Sequence, residues 1–302
     1  MTNSKSPWRA WILKGHAHDE VSAKPSSECF VICGDPAAIP RRLGTVMESR
    51  SGNKITTLLL DCDNTLVQSE TLAFEACADL TNEILAAHDV DLQFTGRQLQ
   101  QEFVGQSFQA MMRSLEARYD VSCAVSDAQL DRYASTEDDR VISKLAQKLQ
   151  PCAGANAELA RLAARGRHTL AVVSSSALRR VRASLAAAGQ ASFFDPRHVF
   201  SAADSLLPPS EPVSKPDPAV YLHALDALAK TAGECVAVED SPSGATAATR
   251  AGILTVGYVG ACDEPEEAEA LRGALEEAGC RLVMGHWAEF AGLLRRIEDG
   301  LD

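Results

Sequence analysis

Four short polar motifs, each at the end of an apolar run or just after one, constrain the fold of this chain more than any other feature. Thr56-Thr57-Leu58-Leu59-Leu60, Thr169-Leu170-Ala171-Val172-Val173 and Cys235-Val236-Ala237-Val238 are short, β-prone and apolar, the pattern of strands buried on both faces of a parallel sheet. The first runs into Asp61-Cys62-Asp63-Asn64-Thr65, the second into Ser174-Ser175-Ser176 and the third into Glu239-Asp240-Ser241. The fourth motif, Ser214-Lys215-Pro216-Asp217-Pro218, precedes a helical stretch from Ala219 to Ala229. Strands alternating with helices imply a doubly wound, Rossmann-like α/β sheet, and in such sheets ligands bind beyond the carboxyl ends of the strands. Leu254 to Tyr258 and Arg281-Leu282-Val283-Met284 continue the alternation, with Ser243 to Ala251 and Glu289 to Ile297 as helices.

The residue types at these strand ends imply a shared chemistry. Side chains alternate along a strand, so Asp61 and Asp63 lean to the same side. Two such carboxylates repel unless a cation lies between them or one is protonated. Asn64 suits a sharp exit turn because it tolerates left-handed backbone. Ser174 is placed to donate to a phosphoryl oxygen, whereas Ser176 reads as the N-cap of a helix starting near Ala177. Prolines on either side give Lys215 a stiff support. Glu239 and Asp240 add hard oxygen ligands at the same edge, a set suited to Mg²⁺. Asp240 as a simple helix cap is the other reading, and it leaves the acids of the first strand unexplained.

Taken in order, these residues resemble the four signature motifs of the haloacid dehalogenase superfamily. Val238-Glu239-Asp240-Ser241-Pro242-Ser243-Gly244 and Lys215-Pro216-Asp217-Pro218 are most similar to its sugar-phosphatase and β-phosphoglucomutase branch, over Lys54 to Tyr258. The resemblance implies that Asp61 is a nucleophile and Asp63 a general acid and base. It implies Ser174, Ser175, Lys215 and Thr65 as phosphate-binding residues. Asp61, Asp240 and Asp63, the last through its carbonyl, would hold Mg²⁺ with help from Glu239. The implied activity is Mg²⁺-dependent hydrolysis of a small phosphorylated metabolite, a sugar or polyol phosphate, through an aspartyl-phosphate. The alternatives are a phosphomutase of the β-phosphoglucomutase kind and a catalytically idle binding protein of the same fold. That mutase branch has a His where this chain has Ala73 and an Arg where it has Phe108, departures that favour a phosphatase.

The stretch between the first two motifs is too long for one crossover. Leu72 to His88, Gln106 to Tyr119 and Asp127 to Leu149 show helical periodicity. An inserted helical cap over residues 73–147 is therefore expected, on a core of residues 54–72 and 148–302. Within it, Phe103-Val104-Gly105-Gln106-Ser107 resembles the family's substrate-specificity loop, making Gly105 and Gln106 substrate candidates. A simple helix break at Gly105 is the equally weighted reading. Arg179, with Arg180 and Arg182 on the helix after Ser174, is a further substrate candidate, its alternative being a solvated basic face.

A net charge of −12 argues against nucleic-acid and anionic-membrane partners. No apolar run reaches the roughly 18 to 20 residues that cross a bilayer, and 46% hydrophobic residues over 302 positions suffice for a core and a subsidiary domain. Nine cysteines without a paired framework suit a reducing, cytoplasmic setting; Cys29 and Cys33 lack partners for a zinc set. Residues 1–53 read as an extension of unknown role, with Met47 a candidate start and a weak likeness to an organellar import segment.

Overall fold

The computed structural model describes residues 54–103, 105–206 and 214–300. The proposed extension over residues 1–53, with Cys29, Cys33 and Met47, lies outside the described residues, as does Val104. Six strands form one sheet: β1 (Thr57–Leu60), β2 (Thr169–Ser174), β3 (Val199–Ser201), β4 (Cys235–Glu239), β5 (Leu254–Tyr258) and β6 (Leu282–Met284). Their order is β3-β2-β1-β4-β5-β6 and every neighbouring pair is parallel. The chain winds outward from β1 in one direction and from β4 in the other, so the switch in winding falls between these two central strands, where ligands of such folds bind.

Among the described residues ten α-helices accompany the sheet: α1 (Glu70–Ala87), α2 (Gly96–Phe103), α3 (Phe108–Tyr119), α4 (Asp127–Lys148), α5 (Ala155–Arg165), α6 (Leu178–Ala187), α7 (Ala219–Ala227), α8 (Pro242–Arg250), α9 (Pro265–Glu277) and α10 (Phe290–Glu298). The apolar runs are continuous because both faces of the sheet are covered. Leu58 and Leu60 pack with Val172, Val236 and Val238 against helices that include α5 and α6. Leu59 points the other way and packs with Ala171, Val173 and Ala237 against Tyr221 and Ala224 of α7 and Ala247 and Ala248 of α8.

Helices α1 to α4 all lie between β1 and β2. Ile84, Leu85, Leu99, Phe103, Met111, Met112 and Leu115 of α1 to α3, with Leu130 of α4, form an apolar core of their own. The rest of α4 belongs to the sheet, because Val141 and Leu145 join the cluster around β1. Four elements have no counterpart in the sequence reading: α2, α5, α9 and β3. Helix α2 buries only Leu99 and Phe103, one turn apart, too few positions to show a period. Strand β3 has three residues on the sheet edge.

Arg179 is committed to the contact between α6 and α4. Its guanidinium donates to Asp138 at 2.9 Å, to the Ser135 carbonyl at 3.2 Å and to Asp139, so the arginine expected at the substrate instead ties core to inserted helices. The physical reason is local: three acceptors on one turn of α4 face the exposed side of α6. Beside this clamp, burial pushes the Glu137 carboxyl up to about 7, against the pull of Arg180 and Arg179 and with Asp138 adding to the rise. A folded-state value above the ordinary 4.5 means that the protonated folded form is favoured, and that stability is lost as pH climbs through this window. Glu137→Gln should therefore melt closer to the wild type at pH about 4.5 and progressively above it towards pH about 8. Thermal unfolding of both proteins across that range checks this; a constant offset would contradict it.

Candidate functional site

The site is assembled from the ends of β1, β2 and β4 by the register of the sheet, with Lys215 entering from the segment before α7. Leu60 pairs with Val238, so Asp61 and Glu239, the next residues on adjacent strands, stand at one height. The Asp61 N–H donates to the Val238 carbonyl at 3.0 Å and holds the exit of β1 against β4. Lys215 reaches in between them. Its Nζ donates to Asp61 Oδ1 at 2.6 Å, to Glu239 Oε1 at 2.6 Å and to the Val173 carbonyl at 2.9 Å. All three ammonium protons are used, which is the full donor capacity of a lysine.

This lysine is 4% exposed at its side chain and Glu239 is wholly buried. Burial works against a charged ammonium, but the carboxylates of Asp61 and Glu239 outweigh it and hold Lys215 well above its usual range. The ring of Tyr221 lies 5.4 Å beneath the ammonium, and its hydroxyl donates to Glu239 Oε1. Glu239 Oε2 has no partner among the described residues although it is buried. Carboxylate oxygens of Asp61, Glu239 and Asp240 lie within 4.8 Å of one another. Burial, then Asp61, then Glu239 push the Asp240 carboxyl far above its normal range. One lysine cannot neutralise three such acids, and an orphaned carboxylate oxygen is costly. The oxygen-only donor set thus fits a hard divalent cation such as Mg²⁺.

Asp63 stands outside that cluster, with both carboxylate oxygens engaged by hydroxyls. Ser69, just before α1, donates its hydroxyl to Oδ1, and Ser176 donates to Oδ2 at 2.7 Å. Here the structure corrects the sequence reading of Ser176 as a helix cap. Helix α6 starts after Ala177 with no side-chain cap from that residue, and Asp204 accepts the Leu178 N–H at 2.6 Å instead. The cause is the tight turn after β2, where the Ser176 N–H donates to Ser174 Oγ at 3.0 Å and swings the Ser176 hydroxyl toward β1. Ser69 was missed for the same reason, since a serine before a helix reads as a cap; its side chain makes no cap bond.

The other candidates fall at differing distances from this centre. Asn64 adopts the left-handed turn expected of it, with φ 56°, and donates to Glu70 Oε2 at 2.7 Å; Gln100 of α2 donates to the same oxygen at 3.1 Å. Thr65 is buried and donates to Asp240 Oδ1 at 3.1 Å, so it supports a carboxylate of the cluster. Ser175 is exposed on the loop after β2. Gly105 has φ 82° in the turn after α2, and Gln106 accepts from Ser114 at 2.8 Å. Among the described residues, neither shares a hydrogen bond with the acid cluster. Glu70 and Tyr221 carried no motif signal, because a single acid or aromatic in a helix is ordinary surface or core.

The arrangement juxtaposes one carboxylate beside a lysine and an acid cluster with a second carboxylate oriented by two hydroxyls. A family model for haloacid dehalogenase-like hydrolases matches residues 55–252, the stretch that supplies every one of these groups. The chain belongs to this family. Among solved haloacid dehalogenase-like structures, a hydrolase from Deinococcus radiodurans R1 with bound phosphate and sodium is 24% identical. It aligns over 82% of this chain and 98% of its own, with TM-score 0.60. CbbY from Rhodobacter sphaeroides in complex with phosphate is 24% identical over 78% of this chain and 96% of its own, TM-score 0.58. A predicted phosphoglycolate phosphatase from Haemophilus somnus 129PT is 19% identical over 79% and 97%, TM-score 0.61. These likenesses establish the shared fold. Protein CbbY of Cupriavidus necator is 52% identical over 44 residues, which is 15% of this chain and 17% of that protein.

The space around Glu239 makes a prediction. A Cβ on Gly244 would lie 1.8 Å from Glu239 Oε2, so Gly244→Ala must displace the carboxylate or the start of α8. We expect the variant to lose about 1–3 kcal/mol of stability and most of any Mg²⁺-induced rise in melting temperature. Calorimetric melting with and without Mg²⁺ measures both; a wild-type response to the metal would contradict the placement of Glu239.

Proposed function

We propose that this hydrolase is a Mg²⁺-dependent phosphatase that cleaves a small phosphorylated metabolite, a sugar or polyol phosphate, through an aspartyl-phosphate. The observation that carries this reading is the pairing of Asp61 with Lys215 at the end of β1, next to Asp63 with both oxygens oriented by serine hydroxyls. A phosphate monoester dianion repels a carboxylate, so attack needs positive charge at the phosphoryl oxygens. Lys215 supplies one such charge. Bound at Asp61, Asp240 and Glu239, Mg²⁺ would supply the rest of the charge neutralisation.

Asp61 attacks phosphorus and forms the new P–O bond while the ester P–O bond breaks. Asp63 gives its proton to the departing alkoxide. Ser174 Oγ accepts the Ser176 N–H, which leaves its own hydrogen free to bind a phosphoryl oxygen. In the second half, Asp63 takes a proton from water, the hydroxyl attacks phosphorus and the bond to Asp61 breaks. Helices α1 to α4 act as a cap over residues 73–147 on the core of residues 54–72 and 148–302, with Gly105 and Gln106 on the loop nearest the incoming substrate. Ala73 and Phe108 are buried in apolar clusters, so those positions offer no second acid, base or cation to a mutase reaction. Buried free thiols at Cys62, Cys77, Cys123, Cys152, Cys235 and Cys280 suit the cytoplasm. No helix among the described residues is long and apolar enough to cross a membrane.

Phosphate release from a panel of sugar and polyol phosphates tests the reading. We expect turnover that stops in excess chelator and returns with Mg²⁺. Asp61→Asn should fold normally and lose about 10³-fold or more of kcat. Substantial activity in that variant, or full activity in chelator, would overturn it.

A further inference from the structure

The groups that build the site all precede β5 in the chain, yet the segment after β6 also reaches it. Trp287, in the short turn between β6 and α10, is fully buried and lies beyond the stretch matched by the family model. Its ring packs against Tyr258 of β5 and Phe290 of α10, with centroids 6.0 and 5.4 Å away. Its indole N–H donates to the Thr65 carbonyl at 2.9 Å, and Thr65 donates its hydroxyl to Asp240 Oδ1 at 3.1 Å. Two hydrogen bonds thus join Trp287 to a carboxylate of the acid cluster. An apolar ring would fill the same space; the N–H is what adds the bond to the turn after β1.

That turn is held by distant segments. Inside it the Leu66 and Val67 N–H groups both donate to the Cys62 carbonyl, so the carbonyls of Thr65 and Leu66 take their donors from elsewhere. The Leu66 carbonyl accepts the Cys152 N–H at 2.9 Å and Gln190 Nε2 at 3.0 Å, and the Thr65 carbonyl accepts Trp287. With both carbonyls tied, the backbone of Thr65 is fixed, and the hydroxyl of a residue branched at Cβ stays directed at Asp240. Trp287 is itself aimed. The Gly285 and His286 N–H groups donate to Glu289 Oε1 at 3.1 and 2.8 Å, and the Ala288 N–H donates to His286 Nδ1 at 3.0 Å. A Cβ on Gly154 would lie 2.8 Å from His286 Cε1, so the glycine before α5 lets this turn seat closely. We infer that Trp287 is a positioning residue for the metal site, fixing the orientation of Asp240 through Thr65 and so setting how tightly the enzyme holds Mg²⁺. This rests on the Mg²⁺ site of the phosphatase reading and extends that site to the segment after β6. Partners that orient a ligand carboxylate weigh on metal affinity, because a carboxylate free to rotate must be ordered when the ion binds.

Calorimetric titration of Mg²⁺ into the full chain, without substrate, tests this on wild type, Trp287→Phe, Thr65→Val, the double variant and Phe290→Leu. Trp287→Phe keeps an aromatic ring and removes the donor. Mg²⁺ binding should weaken about tenfold in Trp287→Phe and by at least about tenfold in Thr65→Val, the range for partners that orient metal ligands. The double variant should bind no more weakly than Thr65→Val alone, because residues that act through one chain of bonds do not add. Phe290→Leu, which loosens the packing around the same indole, should lower the melting temperature and leave Mg²⁺ affinity unchanged. In turnover of para-nitrophenyl phosphate, Trp287→Phe should need about tenfold more Mg²⁺ for half-maximal rate and regain the wild-type kcat at saturation. Equal Mg²⁺ affinity in wild type and Trp287→Phe would overturn the inference. So would additive losses in the double variant, or an equal loss in Phe290→Leu, which would assign the indole to packing alone. A kcat that stays depressed at saturating Mg²⁺ would place the effect on the reaction instead of the metal and overturn it too. Should Thr65→Val fail to fold, the contrast between Trp287→Phe and Phe290→Leu decides alone. A wild type that binds no Mg²⁺ would overturn the metal reading itself, and this inference with it.

Discussion

The buried ammonium of Lys215 between Asp61 and Glu239 is the contact on which the rest of the site depends. It brings the ends of three neighbouring strands together, because its three donors reach the carboxylates after β1 and in β4 and the carbonyl of Val173 in β2. Removing Lys215 would leave the buried carboxylates of Asp61 and Glu239 without their shared cation, at a cost of about 3–5 kcal/mol. The surrounding sequence serves that arrangement. Tyr221 closes the far side of Glu239, and Gly244 leaves room for the carboxylate where any side chain would collide. Leu58, Leu60, Val236 and Val238 hold the strands in register. Still, one lysine among three close carboxylates leaves the site short of positive charge, which is the physical reason the proposed function places a divalent cation there.

Asp61 and Asp63 lie two residues apart on one strand end and have opposite surroundings. Asp61 shares a lysine with a buried glutamate, whereas Asp63 takes two neutral hydroxyl donors. A carboxylate held by an ammonium at one oxygen is fixed in direction and suited to attack; one held by hydroxyls can take or give a proton without breaking an ion pair. The division of labour proposed for them thus follows from the partners, and both partners of Asp63 come from segments that lead into helices, Ser69 into α1 and Ser176 into α6. Glu70, the next residue, links Asn64 in the turn after Asp63 to Gln100 on α2. The turn presenting Asp63 is thereby bonded to the inserted helices as well as to the sheet.

Much of the core was legible in the sequence because burial on both faces writes itself as continuous apolar runs. Thr169 to Val173 and Leu254 to Tyr258 coincide with β2 and β5 almost residue for residue. The acids were legible because nothing in folding calls for Asp61, Asp63, Glu239 and Asp240 at strand ends. What stayed hidden was whatever had an ordinary local explanation. Ser69 and Ser176 stand at helix starts, where capping is the expected use of a serine, and only the folded chain brings both hydroxyls to Asp63. Arg179 and Arg180 are adjacent and chemically alike, so the sequence could not tell which would be spent on Asp138 and Asp139. Helix α2 was invisible because two buried residues carry no period.

The central claim is that Asp61 carries the phosphoryl group during turnover. Acid quenching of the enzyme with a radiolabelled sugar phosphate in the first turnovers, followed by peptide mapping, measures this directly. The account predicts hydroxylamine-sensitive label on the peptide that contains Asp61, formed and lost as fast as product appears. Label on Ser174, or product release with no labelled peptide at any time point, would contradict it.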